Sequence, residues 1–340
     1  MNSTERVLTA LERKVPDRVP VCEMFISGTV IRKICPDCSY HDFVEKYDLD
    51  VVIVPSRQDY KKIGENLYTD SFHVVYRDTG AGEWNLTETR CPITSREDLE
   101  KYVPPDPEAD YRIAELREVI KRFKGIKAII FLIRDAFSRP RRLMGMQEML
   151  IKYITEPQLV KDVIRISVDY NMRVMEIAVE EGADIIFSTD DYASNYSPLI
   201  SPAQFKEFIF PELKKIVKRV HELGVKYIKH CDGNIKPIID MIIDTGIDGL
   251  HPIDPGAGMD IAEVKKKYGD RVCLIGNVDC KFTLGVKSVT EVEDEVKQII
   301  TGAGQGGGLM ISSSNSIHSG VKPENFLAMI EAAKKFGVYN

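Results

Sequence analysis

Short apolar runs alternate with longer segments whose apolar residues recur at helical spacing along most of the 340-residue chain. The runs are rich in β-branched residues and apolar on both faces, which is typical of parallel strands covered on both sides. Eight runs can be traced: Arg18–Met24, Val51–Pro55, Lys127–Ile133, Asp184–Ser188, Lys226–His230, Asp248–Pro252, Val272–Gly276 and Leu309–Ser312. Eight alternations of strand and helix predict an α/β fold, a (β/α)8 TIM barrel.

The segments between the runs begin like helices. Pro157 stands in the first turn of one segment, and Ser201 followed by Pro202 begins another in the same way. Thr290 precedes several acidic residues, which suit the positive end of a helix dipole. An amphipathic segment at about residues 3–13 predicts an N-terminal helix that covers the base of the barrel.

One stretch, residues 60–110, interrupts the alternation after the second predicted strand. Within it, residues 72–87 (FHVVYRDTGAGEWNLT) surround a Gly-rich turn and predict a hairpin. We interpret the stretch as an insertion into a single domain that spans residues 1–340. Trp84 and the hairpin aromatics are expected to pack locally, with a lid over the barrel as the alternative.

The composition narrows the class of protein. Hydrophobic residues make up 44% of the chain, and the net charge of −6 comes from interspersed charges of both signs. No basic stripe is present, so nucleic acid is not an expected partner. No run approaches the roughly 18 apolar residues of a membrane span, and the N-terminus lacks a signal-peptide pattern. With seven scattered cysteines, the chain is expected to be cytoplasmic with reduced thiols.

Polar side chains follow nearly every predicted strand. In barrel enzymes the chemistry lies at the C-terminal ends of the strands, so these side chains are expected to converge on one rim. They are Cys22, Glu23, Arg57, Arg134, Asp190, Asp191, His230, Cys231, Asp232, His251, Asn277, Asp279, Cys280 and Asn315. So many titratable groups on one rim indicate a functional site.

The stretch Lys229-His-Cys-Asp-Gly-Asn234 follows the fifth predicted strand. An imidazole and a carboxylate two residues apart predict a metal site, whereas in the alternative Asp232 only caps the next helix. Asp190 and Asp191 are candidates for acid–base catalysis, because neighbouring carboxylates split their pKa values. The alternative to catalysis is that one of the two Asp side chains accepts hydrogen bonds from the amides at a helix start while the other faces the cavity.

The segment from Ile228 to Asp279 resembles the uroporphyrinogen decarboxylase superfamily, and the likeness extends over most of the chain. In the decarboxylase branch, arginines after strand one hold substrate carboxylates, and an aspartate after strand two holds pyrrole nitrogens. This chain has CEMFISG at residues 22–28 and IVPSR at residues 53–57, with neither feature in place. The resemblance therefore does not imply porphyrin chemistry.

The corrinoid-dependent methyltransferase branch resembles the chain more closely. Its thiol-methylating members bind zinc with His-x-Cys after strand five and a Cys after strand eight. His230 matches the His, Asp232 takes the first Cys position, and Asn315 falls at about the second. The resemblance thus implies a harder metal site of His230, Asp232 and a third ligand. Glu23 is the first candidate, and the weaker ones are Cys22, Cys231, Cys280 and His251.

This change of ligands has a chemical meaning. Thiolate ligands suit activation of a thiol acceptor, whereas His and carboxylate ligands leave zinc a stronger Lewis acid. The resemblance then implies the methyltransferase of a corrinoid-dependent O-demethylase system. It would move methyl from a small methylated donor to cob(I)alamin on a partner corrinoid protein, with zinc or another divalent metal activating the leaving group. Barrels of this kind often pair, so a homodimer is expected.

This hypothesis assigns roles to several residues on the rim. Asp191, His230 and Asp232 would be catalytic, and the last two would also hold the metal with Glu23. The candidates for substrate binding are Arg57, Arg134, His251, Asn277, Asp279 and Asn315. In a second hypothesis, a metal-independent decarboxylase, Arg57, Arg134 and Arg141 would hold carboxylates while Asp191 moves protons. A third is a binding protein without catalysis.

Two further motifs are interpreted as structural. Cys35-Pro-Asp-Cys38 is a lone pair of cysteines without a second pair, so a zinc ribbon is not expected. Arg139-Pro-Arg-Arg142 is interpreted as a solvated basic loop, with an anionic substrate or a partner's acidic patch as the alternative.

Overall fold

The structure, a computed structural model, describes residues 1–80 and 86–339. Eleven strands are present in these residues: β1 (Val51–Pro55), β2 (Lys61–Gly64), β3 (Leu67–Thr69), β4 (Val75–Asp78), β5 (Leu86–Arg90), β6 (Ala128–Ile133), β7 (Ile185–Thr189), β8 (Lys226–His230), β9 (Gly249–His251), β10 (Cys273–Ile275) and β11 (Leu309–Met310). β1 and β6 to β11 form a curled parallel sheet in chain order. Seven of the eight predicted strands are thereby confirmed.

The first predicted strand, Arg18–Met24, is a bridging segment and not a strand of the ladder. Val21 forms a parallel bridge with Ile311, and the Cys22 amide donates to the Ile311 carbonyl at 2.9 Å. On the other side, the Asp50 amide donates to the Val21 carbonyl at 3.2 Å. The segment therefore joins the last strand of the sheet to the first, which makes the fold barrel-like.

The predicted N-terminal helix is α1 (Ser3–Leu11). Asn2 and Glu5 cap its start reciprocally, so two otherwise unpaired amides are satisfied. Its apolar face, with Val7, Ala10 and Leu11, packs in one buried cluster with inward side chains of the curled sheet. The helix therefore fills one end of the barrel, and the functional rim lies at the other.

The other helices are α2 (Gly28–Ile34), α3 (Tyr40–Lys46), α4 (Arg96–Lys101), α5 (Ala114–Phe123), α6 (Ser138–Met144), α7 (Met146–Thr155), α8 (Pro157–Glu181), α9 (Pro202–Gln204), α10 (Phe210–Glu222), α11 (Ile239–Asp244), α12 (Ile261–Tyr268), α13 (Val289–Ala303) and α14 (Pro323–Phe336). Two predicted helix starts are confirmed. Pro157 stands in the first turn of α8, and Ser201 caps the start of α9. None of the described helices has the apolar length to cross a membrane.

A four-stranded antiparallel sheet, β2 to β5, lies between β1 and β6 in the stretch predicted as an insertion. β4 and β5 are the arms of the predicted hairpin, with Asp78 opposite Leu86. Trp84 and the predicted lid lie in residues 81–85, outside the described residues. Beside β4, Asp70 accepts the Phe72 and Val74 amides at 2.9 and 3.0 Å, so its carboxylate is fixed within this stretch, residues 60–110, which we call the insertion after its prediction.

The cysteine prediction is wrong for one pair. Cys35 and Cys38, which follow α2, are joined in a disulfide, whereas all seven thiols were expected to be reduced. The two residues are three positions apart, close enough for a bond that a count of scattered cysteines does not reveal. The other five cysteines are free.

Candidate active site

The ends of β7 and β8 bring three titratable side chains together. Thr189 pairs with His230 across the two strands, so Asp191 emerges next to the His230 imidazole. The Nε2 atom of His230 lies 3.2 Å from Oδ1 of Asp191 and 3.5 Å from Oδ1 of Asp232. One potential ligand atom of each residue lies within 4.8 Å of the other two. We call Asp191, His230 and Asp232 the acidic group.

The charges of the acidic group influence one another. Burial opposes ionisation of Asp191, but the hydrogen bond and charge of His230 prevail and lower its pKa. Burial also works against protonation of His230, yet the carboxylates of Asp232 and Asp191 raise the imidazole pKa. Burial raises the pKa of Asp232 to about 6, with a smaller contribution from Asp191. Two acids thus compete for one partner cation.

His251 fixes the far side of the His230 ring. The two Nδ1 atoms lie 2.7 Å apart, and Nε2 of His251 lies 3.2 Å from the Ser312 hydroxyl oxygen. Burial, and then the charge of His230, lowers the His251 pKa well below its ordinary value, so His251 is neutral. When His230 donates its Nδ1 proton inward, its Nε2 lone pair faces the two acids, as a metal ligand requires.

Asn315 and Glu23 occupy different places relative to the acidic group. Asn315 donates its side-chain amide to Oδ2 of Asp232, so it lies beside the group. Glu23 is only 1% exposed and accepts the Ser313 amide and hydroxyl at 2.6 and 2.8 Å. Burial raises the Glu23 pKa to about 8. The structure therefore brings Asp191, and not Glu23, to His230 and Asp232.

The other predicted substrate residues hold loops or lie outside the group. Asn277 donates to the Ile253 carbonyl at 2.8 Å, and the Asp279 carboxylate accepts two amides of the following turn, at 2.7 and 2.9 Å. Arg134 donates to the Thr189 carbonyl next to Asp191. Arg57 is exposed in the loop after β1.

The thiols near the rim do not join the acidic group. Cys22, Cys231 and Cys280 are buried, and burial raises the pKa of each thiol. The Cys231 sulfur accepts a hydrogen bond from the Tyr192 amide at 3.1 Å, so it is already engaged by the backbone. A thiolate-rich metal site is therefore absent from the described residues.

A buried ion pair beneath the acidic group had no sequence-based prediction. Lys229 is fully buried, and its Nζ donates to Asp135 at 2.6 Å and to the Asp190 carbonyl at 2.9 Å. Asp190 in turn accepts the Phe137 and Ser138 amides at the start of α6, both at 2.8 Å. The alternative in which one Asp of the pair accepts helix-start amides therefore describes Asp190. The sequence offered one signal of this ion pair, because Lys229 lies inside an otherwise apolar strand.

The chain is similar in sequence to known proteins over most of its length. The family model for uroporphyrinogen decarboxylase (URO-D) matches residues 84–336. The methylcobamide:CoM methyltransferase MtaA of Methanosarcina barkeri is 26% identical, covering 87% of this chain and 88% of that protein. The uroporphyrinogen decarboxylase of Yersinia enterocolitica is 24% identical, covering 96% and 95%.

A solved structure, a methyltransferase from Methanosarcina mazei, superposes with a TM-score of 0.77 at 20% sequence identity and covers 99% of both chains. This likeness shows the fold, a TIM-barrel-like arrangement, and no more than that. The family model covers most of the chain, and the relatives include methyltransferases and decarboxylases. The chain therefore belongs to the uroporphyrinogen decarboxylase family.

Proposed function

We propose that the protein is the methyltransferase of a corrinoid-dependent demethylase system. It takes a methyl group from a small O-methylated donor and passes it to cob(I)alamin carried by a partner corrinoid protein. The observation that carries this proposal is the acidic group, in which an imidazole and two carboxylates present ligand atoms within 4.8 Å of one another. The methylcobamide:CoM methyltransferase among the relatives supports the reaction class.

The donor set of the acidic group fits a divalent metal. Oδ1 of Asp232 is buried and has no hydrogen-bond partner, so it lacks the compensation that a buried oxygen needs. One imidazole nitrogen and two carboxylate oxygens are ligands that zinc accepts in catalytic sites. Asp191, His230 and Asp232 would therefore hold the metal. When bound, zinc supplies a Lewis acid for the departing oxygen of the donor.

The chain's own side chains orient these ligands. His251 shares a hydrogen bond with Nδ1 of His230 and contacts the Ser312 hydroxyl through its own Nε2, so these contacts hold the His230 imidazole in place. Asn315 holds one oxygen of Asp232, leaving the other for a cation or a proton. Since no thiol lies in the group, the geometry favours activation of an oxygen leaving group over activation of a thiol acceptor.

Methyl transfer to cob(I)alamin tests the proposal. Purified protein with zinc is incubated anaerobically with cob(I)alamin and a methoxybenzene, a methylamine or methanethiol, and the loss of the cob(I)alamin absorbance is followed. We expect turnover with the O-methyl donor and a loss of at least 100-fold in His230→Ala. His221→Ala is the matched control, because His221 pairs with Asp248 at 2.8 Å on α10, remote from the rim. Full turnover in His230→Ala would contradict the proposal.

The metal-independent decarboxylase remains a second candidate because of one observation. Arg134 contacts the backbone next to Asp191 and could hold a carboxylate beside a carboxylate able to move protons. Release of CO₂ from a carboxylated donor that persists in a chelator and in His230→Ala, but is lost in Arg134→Gln, would favour this candidate over methyl transfer.

A further inference from the structure

Four guanidinium groups lie near one another, and one of them, Arg134, donates to the backbone of β7 two residues before Asp191. Arg134 directly follows β6, and α6 carries Arg139, Arg141 and Arg142. We call these four residues the arginine cluster. Arg139 is only 4% exposed, and the other three are half-buried. The cluster was interpreted from sequence as a solvated basic loop at residues 139–142. That interpretation is wrong, because α6 packs these side chains against the insertion.

The insertion compensates only part of this positive charge. Arg139 pairs with Asp70 at 3.3 Å and lies over the Phe72 ring at 3.8 Å. Arg141 and Arg142 share a single carboxylate, Glu88, at 3.5 and 3.3 Å. Arg134 forms no ion pair with a described carboxylate, and its guanidinium donates to a backbone carbonyl. Among the residues that the structure describes, four cations thus face two partner anions.

Hydrogen-bonding capacity is also left over in the cluster. The Nε atom of Arg139 is buried and makes no hydrogen bond within the described part of the chain, whereas the Nε atom of Arg142 lies 3.3 Å from a carboxylate oxygen of Glu88. Burial lowers the Arg139 pKa, and the charge of Arg142 adds to that effect. Burial likewise lowers the Arg134 pKa, against the attraction of Asp190, with help from Arg142 and Arg139. An anion that entered the cluster would relieve both deficits.

The strand order sets the distance between the cluster and the acidic group. β6, β7 and β8 are consecutive in the sheet: Arg134 is the first residue after β6, Asp191 is the second after β7, and His230 is the last residue of β8. Neighbouring strands lie about 4.8 Å apart, so the ends of β6 and β8 are separated by about 10 Å. A small molecule that carries an anionic group at one end of an aromatic ring and a methylated group at the other could span this distance.

We propose that the arginine cluster binds an anionic group, a carboxylate or a phosphate, of the methyl donor and thereby places its methylated end at the acidic group. The inference rests on the proposed function and adds the class of donor: an anionic small molecule. Arg134 is the member of the cluster nearest the acidic group along the sheet, and Arg142 extends the cluster toward the insertion. Guanidinium groups recognise both carboxylate and phosphate through paired N–H donors.

Direct binding measurements test this site without methyl transfer. The full-length, zinc-free protein is titrated calorimetrically with benzoate, inorganic phosphate and neutral benzamide. We expect benzoate or phosphate to bind at least tenfold more tightly than benzamide, and to weaken with added salt. Arg134→Gln and Arg142→Gln should each weaken that binding about tenfold. Arg139 is not the test residue, because its pairing with buried Asp70 makes misfolding a competing explanation.

Arg165→Gln is the matched control, since Arg165 is 60% exposed on α8 and pairs only with Asp162, at 3.4 Å. Benzoate binding that depends on Arg134 and Arg142 assigns a carboxylate, and phosphate binding with the same dependence assigns a phosphate. Binding no tighter than that of benzamide, or equal in all variants, overturns the inference. Methyl transfer can fail while the anion still binds, and a neutral donor can react while the anion does not, so the two proposals fail separately.

Discussion

The acidic group and the arginine cluster are neighbours on one rim with opposite electrostatics. The acidic group holds two carboxylates around one imidazole, and its Asp191 side chain is 48% exposed. The arginine cluster holds four guanidinium groups around Asp70 and Glu88, which the insertion supplies. We propose that the first binds a cation and the second an anion. Their difference suggests a site that binds a metal at one end and a charged substrate at the other.

The two regions also differ in how they are built into the fold. The acidic group comes from the ends of consecutive barrel strands, so its geometry follows from the sheet. The arginine cluster depends on contacts across 69 residues, between Arg139 and Asp70. We therefore expect damage to the cluster to cost folding stability and damage to the acidic group to cost metal binding.

The largest expected effect comes from Arg139→Met. Removing this guanidinium leaves the buried Asp70 carboxylate without its cation, and breaking a buried pair costs about 3–5 kcal/mol. Urea unfolding followed by circular dichroism measures the loss. Arg165→Met, on the exposed face of α8, should change the free energy of unfolding by less than about 0.5 kcal/mol. Equal effects of the two variants would remove the distinction between a structural cluster and a surface charge.

The next effect concerns zinc affinity. Asn315→Ala removes the amide that holds Oδ2 of Asp232, and residues that orient metal ligands are typically worth about 10–100-fold in affinity. Competition with a zinc-sensitive dye measures this change. Asn277→Ala is the control, because Asn277 contacts a backbone carbonyl in the β9 loop and no member of the acidic group. Unchanged zinc affinity in Asn315→Ala would place the metal elsewhere.

A pH-dependent effect is expected at Glu23. Its pKa rises from an ordinary 4.5 to about 8 in the folded protein, so the native state retains a proton that the unfolded chain loses. The free energy of unfolding therefore decreases as pH rises from 4.5 to 8. Glu23→Gln keeps an oxygen for the Ser313 amide and gains a donor for its hydroxyl.

The Glu23→Gln variant should match the wild type at pH 5 and melt at least about 2 °C higher at pH 9, in the presence of a chelator. Differential scanning calorimetry across this pH range measures the difference. A variant whose advantage is the same at both pH values would show that the Glu23 proton is not responsible.

The smallest expected effect is a gain in stability. At pH 8, Asp232→Asn removes one of two neighbouring carboxylates that share the single imidazole of His230, and it should raise the free energy of unfolding of the zinc-free protein by up to about 1 kcal/mol. The same variant should lose the increase in melting temperature that zinc gives the wild type. A destabilised zinc-free variant would mean that Asp232 serves the fold and not a metal.

The sequence predicted the regions that local patterns determine. Apolar runs located the parallel strands, and the stretch KHCDGN contains two of the three members of the acidic group, His230 and Asp232. The membership of Asp191 in that group, in place of Glu23, depends on strand register and on Ser313 occupying both Glu23 oxygens. Neither is visible in a local motif.

The arginine cluster shows what sequence patterns miss. From sequence alone, a run of arginines is expected to be exposed to solvent, because the distant carboxylates that pair with it cannot be recognised. Asp70 and Glu88 lie in the insertion, and their pairing with α6 exists only in three dimensions. The disulfide between Cys35 and Cys38 was missed for a different reason, because composition alone argued for reduced thiols.

The central claim is that the acidic group binds a divalent metal. Elemental analysis of protein purified without chelator and equilibrated with zinc tests it most directly, with His230→Ala and the control His221→Ala measured beside the wild type. We predict about one zinc per chain in the wild type and in His221→Ala, and a loss of zinc in His230→Ala. Equal zinc in His230→Ala, or none in the wild type, would contradict the account.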